Sequence, residues 1–210
     1  MDKNKQAVRV FNDKAIGYEE KYMDVSSYKV SLNKFCDELS ISQPKILELA
    51  CGPGNITQFL LDKRPGFQVD ASDLSKNMIK LAQKNNHKAQ FSLFDMRRIN
   101  ELQYSYDGIV NAFGLPYLSK EETIDFLKNC SNRLNKGGLL YISFMEDNYA
   151  NSNYATSSTG EKILFTYYHE FAYISSALVQ YGFEIIYTDR KGIDGEQKKK
   201  DLVIIAQLNR

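Results

Sequence analysis

A surplus of charge of either sign is missing from this sequence. Its 27 Lys and Arg stand against 26 Asp and Glu, a formal net charge of +1 at pH 7. No global field therefore draws in nucleic acid or an anionic membrane. The densest basic run, Lys198–Lys200, reads as a surface turn rather than a binding patch. Long hydrophobic runs are missing too, since nothing approaches the ~18 apolar residues that span a bilayer. The opening stretch MDKNKQAVRVFNDKAIGYEEKY has no apolar core of a secretory signal, and the expected location is the cytoplasm. Cysteine and histidine are scarce. Cys36, Cys51 and Cys130 are odd in number, widely spaced and free of any C-x-x-C pair, so they are expected as reduced structural thiols. With only His87 and His169 besides, no metal site is expected.

What is present fits one domain. The chain has 210 residues, 43% hydrophobic and 25% charged, long enough to bury a core and soluble in profile. From residue 45 onward, short apolar runs alternate with amphipathic ones. Lys45–Leu49, Phe67–Ser72, Ala89–Phe94, Tyr106–Ala112 and Leu139–Phe144 read as strands. Ile56–Asp62, Asn77–Lys84 and Glu121–Leu134 read as the helices between them, and Gly137–Gly138 as a turn. This rhythm predicts parallel strands with crossover helices on both faces. Phe171–Tyr181 reads as a helix ending at Gly182. Phe183–Asp189 and Leu202–Leu208 then form a hairpin across the polar connection KGIDGEQKKK. The predicted architecture is α/β, a Rossmann-like doubly wound sheet of seven strands, mostly parallel with an antiparallel C-terminal hairpin strand. Residues 1–210 divide into a helical cap (1–44), a core (45–145), an insert or lid (146–168) and a C-terminal helix with its hairpin (169–210). Within the insert, Glu146–Glu161 reads as a polar loop, functional or disordered.

The segment with the most chemistry is ILELACGPGNIT, residues 46–57. Gly52-Pro53-Gly54 lies between a strand and a helix, where a missing Cβ lets backbone approach a ligand and a helix start offers unpaired N–H groups. A dinucleotide fingerprint needs a third Gly at 57, where this chain has Thr57. No Gly-Lys-Ser/Thr follows, so a P-loop is excluded as well. Glu48, on the strand before the turn, repels a diphosphate and attracts a cation. The turn therefore suits a positively charged nucleoside.

These residues resemble the first motif of the class I S-adenosylmethionine-dependent methyltransferases, E/D-x-G-x-G-x-G, with Ala50 in place of the first Gly. Asp73, 21 residues after Gly52, lies at the spacing where a carboxylate meets a ribose in such folds; capping the next helix is its other reading, with Ser75 as competitor and Asp70 as runner-up for the ribose. The resemblance implies that Asp95 and the backbone of Met96 meet the adenine, unless Asp95 simply caps a turn. It implies that Leu74 is among the cofactor-binding residues and that the backbone near Asn111 and Ala112 faces the methionine part. Tyr18 and Tyr22 resemble a cofactor lid, although ordinary aromatic packing explains them equally. The cofactor so implied is S-adenosyl-L-methionine, with S-adenosyl-L-homocysteine as product.

Methyl transfer from a sulfonium asks for a dry, oriented pocket more than for a strong acid. Phe113, Tyr117, Tyr149 and Tyr167 are the expected acceptor-side aromatics. His169 is a candidate general base, with a surface or capping role as the alternative. No Asn-Pro-Pro-Tyr or Pro-Cys element follows the fourth strand, so neither adenine-amino nor cytosine-carbon methylation is indicated, and no nucleic-acid partner is expected. The expected function is methyl transfer to a small molecule. The alternatives are a non-catalytic cofactor-binding module or partner subunit, and a nicotinamide-dependent oxidoreductase.

Overall fold

A computed structural model of the chain describes residues 3–156, 162–193 and 196–209. β1 (Lys45–Leu49), β2 (Gln68–Asp73), β3 (Gln90–Leu93), β4 (Tyr106–Ala112) and β5 (Leu134–Glu146) are joined by α4 (Asn55–Lys63), α5 (Lys76–Asn85) and α6 (Lys120–Arg133). α7 (Phe171–Gln180) then leads into β8 (Phe183–Ile193) and β9 (Glu196–Leu208). The sheet order is β3-β2-β1-β4-β5-β9-β8. All pairings through β5 are parallel, and β9 runs antiparallel to both of its neighbours. This is the seven-stranded Rossmann-like sheet expected from the alternation of apolar runs. The strand order reverses between β1 and β4, and the crevice at their carboxyl ends is where such sheets hold ligands.

The alternation along β1 explains why the sheet is covered on both faces. Leu47 and Leu49 join the core built with Phe126, Leu127, Ile174 and Leu178 of α6 and α7. Ile46 points the other way, into the core built with Leu60 and Ile79 of α4 and α5. Leu32 and Phe35 belong to that second core, and they come from α3 (Lys29–Glu38) in the N-terminal segment. The three cysteines are free and buried.

Three local expectations are corrected. Gly137–Gly138 is no turn between helix and strand; it lies inside β5 at a register slip, where Tyr106 pairs with Leu134 but Gly108 with Leu139. Gly137 has φ +76°, which glycine adopts without strain. Lys198–Lys200 belongs to β9 rather than to a turn, because the ladder runs out to the Ile193–Glu196 pair. Backbone pairing tolerates a polar run at the end of a strand, so composition overstated the connection. The polar loop expected at Glu146–Glu161 contains a short helical turn, Tyr149–Asn151, and β6 (Asn153–Thr156), which pairs with β7 (Lys162–Thr166) in a separate antiparallel sheet. Tyr154 and Phe165 face each other across it, with ring centroids 5.0 Å apart. Residues 157–161 of that expectation lie outside the described residues.

Candidate functional site

Two cavities open at the carboxyl ends of β1, β2, β4 and β5, of about 90 and 380 Å³. They share Tyr18, Ala50, Gly52, Ala112, Phe113 and Tyr117 as a common wall. The smaller continues past Asp73 and Leu74 to Met78, Phe94 and Met96. The larger runs past Glu48, Cys51 and Tyr22 to the far ends of β5 and β9. Its size falls in the ordinary range for small-molecule sites.

The glycine turn is held by an acid from the next strand. The Gly52 N–H donates to Asp73 Oδ2 at 3.0 Å, and the Ser75 N–H donates to Oδ1 at 2.8 Å. Ser75, not Asp73, caps α5, accepting from the Met78 N–H at 3.2 Å. Burial raises the Asp73 pKa, and the backbone N–H groups of Ser75 and Gly52 oppose that rise. Asp70 lies away from the turn, bound to Lys45 at 3.3 Å and to the Tyr106 hydroxyl at 3.1 Å.

Glu48 is 1% exposed and accepts a hydrogen bond from the Thr57 hydroxyl. The residue that breaks the dinucleotide fingerprint thus partners the acid that argues for a cation. Burial pushes the Glu48 pKa up to about 8, so the protein alone keeps this group mostly protonated at neutral pH. Ala50 and Phe113 both have φ +58°, unusual for residues with a Cβ, and both line the shared wall.

The lid is N-terminal. α1 (Lys3–Asp13) and α2 (Ala15–Tyr22) lie over the smaller cavity, presenting Asn4, Ala7, Val8, Phe11 and Tyr18. Asn12 fastens α1 to the start of α5, accepting from the Asn77 N–H at 3.1 Å, while the Asn77 side chain donates to the Asn12 carbonyl at 2.9 Å. Asn55 secures the end of α2 through the Tyr22 carbonyl at 2.8 Å. The Tyr18 and Tyr22 rings touch at 4.5 Å, and burial raises the Tyr18 hydroxyl to about 12, keeping it a neutral donor.

Several expected site residues stand elsewhere. Gly54, at φ +83°, serves helix packing, because a Cβ there would sit 2.5 Å from Asn86 Nδ2 and 3.2 Å from Ala82. Asp95 caps the turn Met96–Glu101, and Arg97 binds both of its oxygens, holding its pKa down against burial. Asn111 is fully buried under the wall, donating to the Leu49 carbonyl at 3.2 Å. Tyr149 and Tyr167 stack on one another at 6.0 Å and line neither cavity. No described residue of the 146–168 insert does so. Instead β7 backs α1, with Lys3 Nζ 3.4 Å from the Phe165 ring centroid.

His169 is the plainest correction. It is 0% exposed, and both ring nitrogens are engaged. Nε2 lies 2.8 Å from the Leu115 carbonyl, which can only accept, so Nε2 carries the proton. Nδ1 then accepts from the Tyr173 hydroxyl. Burial lowers its pKa to about 4. An imidazole with no spare lone pair and no cavity face is a structural tie between α7 and the turn Leu115–Tyr117.

Many lining positions were not named as site residues from the sequence, Tyr28, Met145 and Asp201 among them. Asn4, Ala7, Val8 and Phe11 repeat at helical spacing, a signal that gains meaning only once the cavity they face is known. Asp201 had no such signal, because only the β5–β9 ladder sets it opposite Met145.

The fold, the switch-point cavities and the acid-held glycine turn are similar to those of class I, Rossmann-like S-adenosylmethionine-dependent methyltransferases. Residues 46–138 match the methyltransferase-domain family model. The chain is 31% identical to a malonyl-[acyl-carrier protein] O-methyltransferase of Priestia megaterium, over 67% of this chain and 52% of that protein. It is 29% identical to a demethylmenaquinone methyltransferase of Thermotoga maritima, over 50% of this chain and 44% of that one. In structure it resembles magnesium protoporphyrin IX methyltransferase from Synechocystis, crystallised with S-adenosylhomocysteine, at a TM-score of 0.75 and 17% identity, covering 99% of this chain and 100% of the other. The chain spans about half the length of the curated relatives it matches. Among the described residues, no helix is long and apolar enough to cross a membrane.

Proposed function

We propose that this protein transfers the methyl group of S-adenosylmethionine to a small-molecule acceptor. The observation that carries the reading is the pair of cavities meeting at the switch point across one wall, with the Asp73 carboxylate and the Gly52 amide on one side of it. Asp73 fits the ribose, where two charge-assisted hydrogen bonds replace its present backbone contact. Leu74, Met78, Phe94 and Met96 offer the apolar surface a purine needs. Glu48 supplies a carboxylate whose ionisation a cationic ligand favours. The residues present therefore fit the cofactor.

When bound, the sulfonium supplies an electrophilic methyl group. This chain's part is to orient and to exclude water: Tyr18 and Tyr22 close over the glycine turn, while Ala112 and Phe113 form the partition through which the two ligands meet. The names of the malonyl and menaquinone relatives support a small acceptor rather than nucleic acid. Calorimetry with S-adenosylhomocysteine and with NAD tests the reading. Micromolar binding of the first and none of the second is expected, and binding of NAD alone refutes it.

A further inference from the structure

The second cavity carries more than a place for an acceptor. Its ionisable lining, tyrosines and Cys51 aside, is Asp24, Glu48 and Asp201, and among the described residues no Lys or Arg lines either cavity. Of the cations around it, Lys21 lies 4.9 Å from the Tyr22 ring centroid, and Lys191, opposite Asp201 on β8, lies 5.2 Å from the Tyr28 ring centroid and is paired with Asp189 at 3.5 Å. An anionic acceptor would thus enter beside the Asp24 and Asp201 carboxylates with no Lys or Arg among the described lining residues to meet it, whereas a cation would find both carboxylates, with the Glu48 acid at the donor side. The walls point the same way. The rings of Tyr22, Tyr28, Phe113, Tyr117 and Tyr141 surround the space, and aromatic faces attract ammonium groups.

Asp201 is placed for a task. β9 sets it opposite Met145 of β5, which lines the same cavity. The Tyr28 hydroxyl donates to Asp201 Oδ2 at 2.6 Å and fixes the carboxylate in position. Glu48 is held by Thr57 beside the glycine turn, on the donor side, and the Ser143 hydroxyl accepts from the Phe113 N–H at 3.2 Å. We infer that the second cavity binds an amine as methyl acceptor and that Asp201, positioned by Tyr28, receives its proton. The inference rests on the methyltransferase reading above. An ammonium group entering the cavity gives one N–H proton to the Asp201 carboxylate, leaving a neutral amine. Its lone pair forms the N–C bond to the methyl group as the C–S bond breaks, the bonding pair staying on sulfur as a thioether. The methylated amine departs as a cation, and Asp201 releases its proton to water.

The test uses probes matched in size: phenethylamine, 2-phenylethanol and 3-phenylpropanoate, titrated into protein saturated with S-adenosylhomocysteine. The amine is expected to bind at least tenfold more tightly than the carboxylate. Asp201→Asn should weaken the amine at least tenfold while leaving the S-adenosylhomocysteine Kd within twofold, which also shows that the variant is folded. Tyr28→Phe should weaken it several-fold by freeing the carboxylate. With S-adenosylmethionine, mass spectrometry of amine and carboxylic-acid libraries should find methyl transfer among amines. Equal or tighter binding of the carboxylate, an amine preference that survives Asp201→Asn, or methylation confined to acids or alcohols overturns the inference. Those outcomes leave the methyltransferase reading standing, whereas failure of the wild type to bind S-adenosylhomocysteine removes both.

Discussion

Acidifying the protein should break the His169 tie, and the size of the effect follows from its burial. The folded pKa is about 4, against an ordinary 6.5. A depressed pKa means the unfolded chain binds the proton first. The contribution of the neutral ring to stability is therefore complete above about pH 6.5 and is lost as pH falls through 4. A tenfold difference in proton affinity between folded and unfolded chain corresponds to about 1.4 kcal/mol, so between pH 7 and pH 5 the tie loses about 2 kcal/mol. That is a substantial share of the roughly 5–15 kcal/mol that keeps a domain folded. The structural reason is specific: a second ring proton must go on Nδ1, which now accepts from the Tyr173 hydroxyl. Urea denaturation of wild type and His169→Gln at both pH values isolates the effect, since all other titrations are shared. The stability difference between them should shrink by about 2 kcal/mol on acidification. A difference independent of pH would refute the buried, neutral ring. The variant should also keep its turnover with a saturating donor, because His169 touches neither cavity.

Glu48 predicts the opposite slope. Its raised pKa stabilises the protonated folded state below about 4.5, and that contribution is lost as pH rises through about 8. Glu48→Gln should therefore gain about 3 kcal/mol relative to wild type between pH 5 and pH 7.5 in ligand-free denaturation; parallel curves would count against a buried acid. Ala50→Gly should stabilise the protein by about 1 kcal/mol, since φ +58° strains a residue with a Cβ; an unchanged or lower melting temperature would contradict the strain. Asp73→Ala should weaken S-adenosylhomocysteine about 100-fold if two charge-assisted hydrogen bonds of roughly 1.5 kcal/mol each are lost. A change below threefold by calorimetry would remove Asp73 from the ribose site.

Much of the sheet was legible because parallel strands covered on both faces must be short apolar runs, and crossover helices must be amphipathic. β1 and β4 begin and end where their apolar runs do, at Lys45–Leu49 and Tyr106–Ala112. The β6–β7 hairpin was hidden because β6 reads as part of a polar loop, and its Tyr154 shows its place only where it meets Phe165 of β7. In the site, Gly52, Asp73 and Glu48 stood out because local spacing places them at one turn. His169 misled because residue type announces titration at neutral pH, whereas burial among Leu115, Phe144 and Tyr173 decides whether the ring can titrate there.

By itself, then, the sequence determined the β-α-β frame and the acid-flanked glycine turn, since both rest on contacts within about 30 residues, the span of one βαβ motif. Only the tertiary structure decided which segment covers the crevice. It set α1 and α2, fastened by Asn12 and Asn55 and carrying the Tyr18 and Tyr22 that resembled a cofactor lid, against the cavities, and no described residue of the insert beside them. It likewise decided what faces the acceptor. Tyr28 and Asp201 lie 173 residues apart and meet only because β9 turns back along β5, a long-range pairing that leaves no periodic trace in the chain.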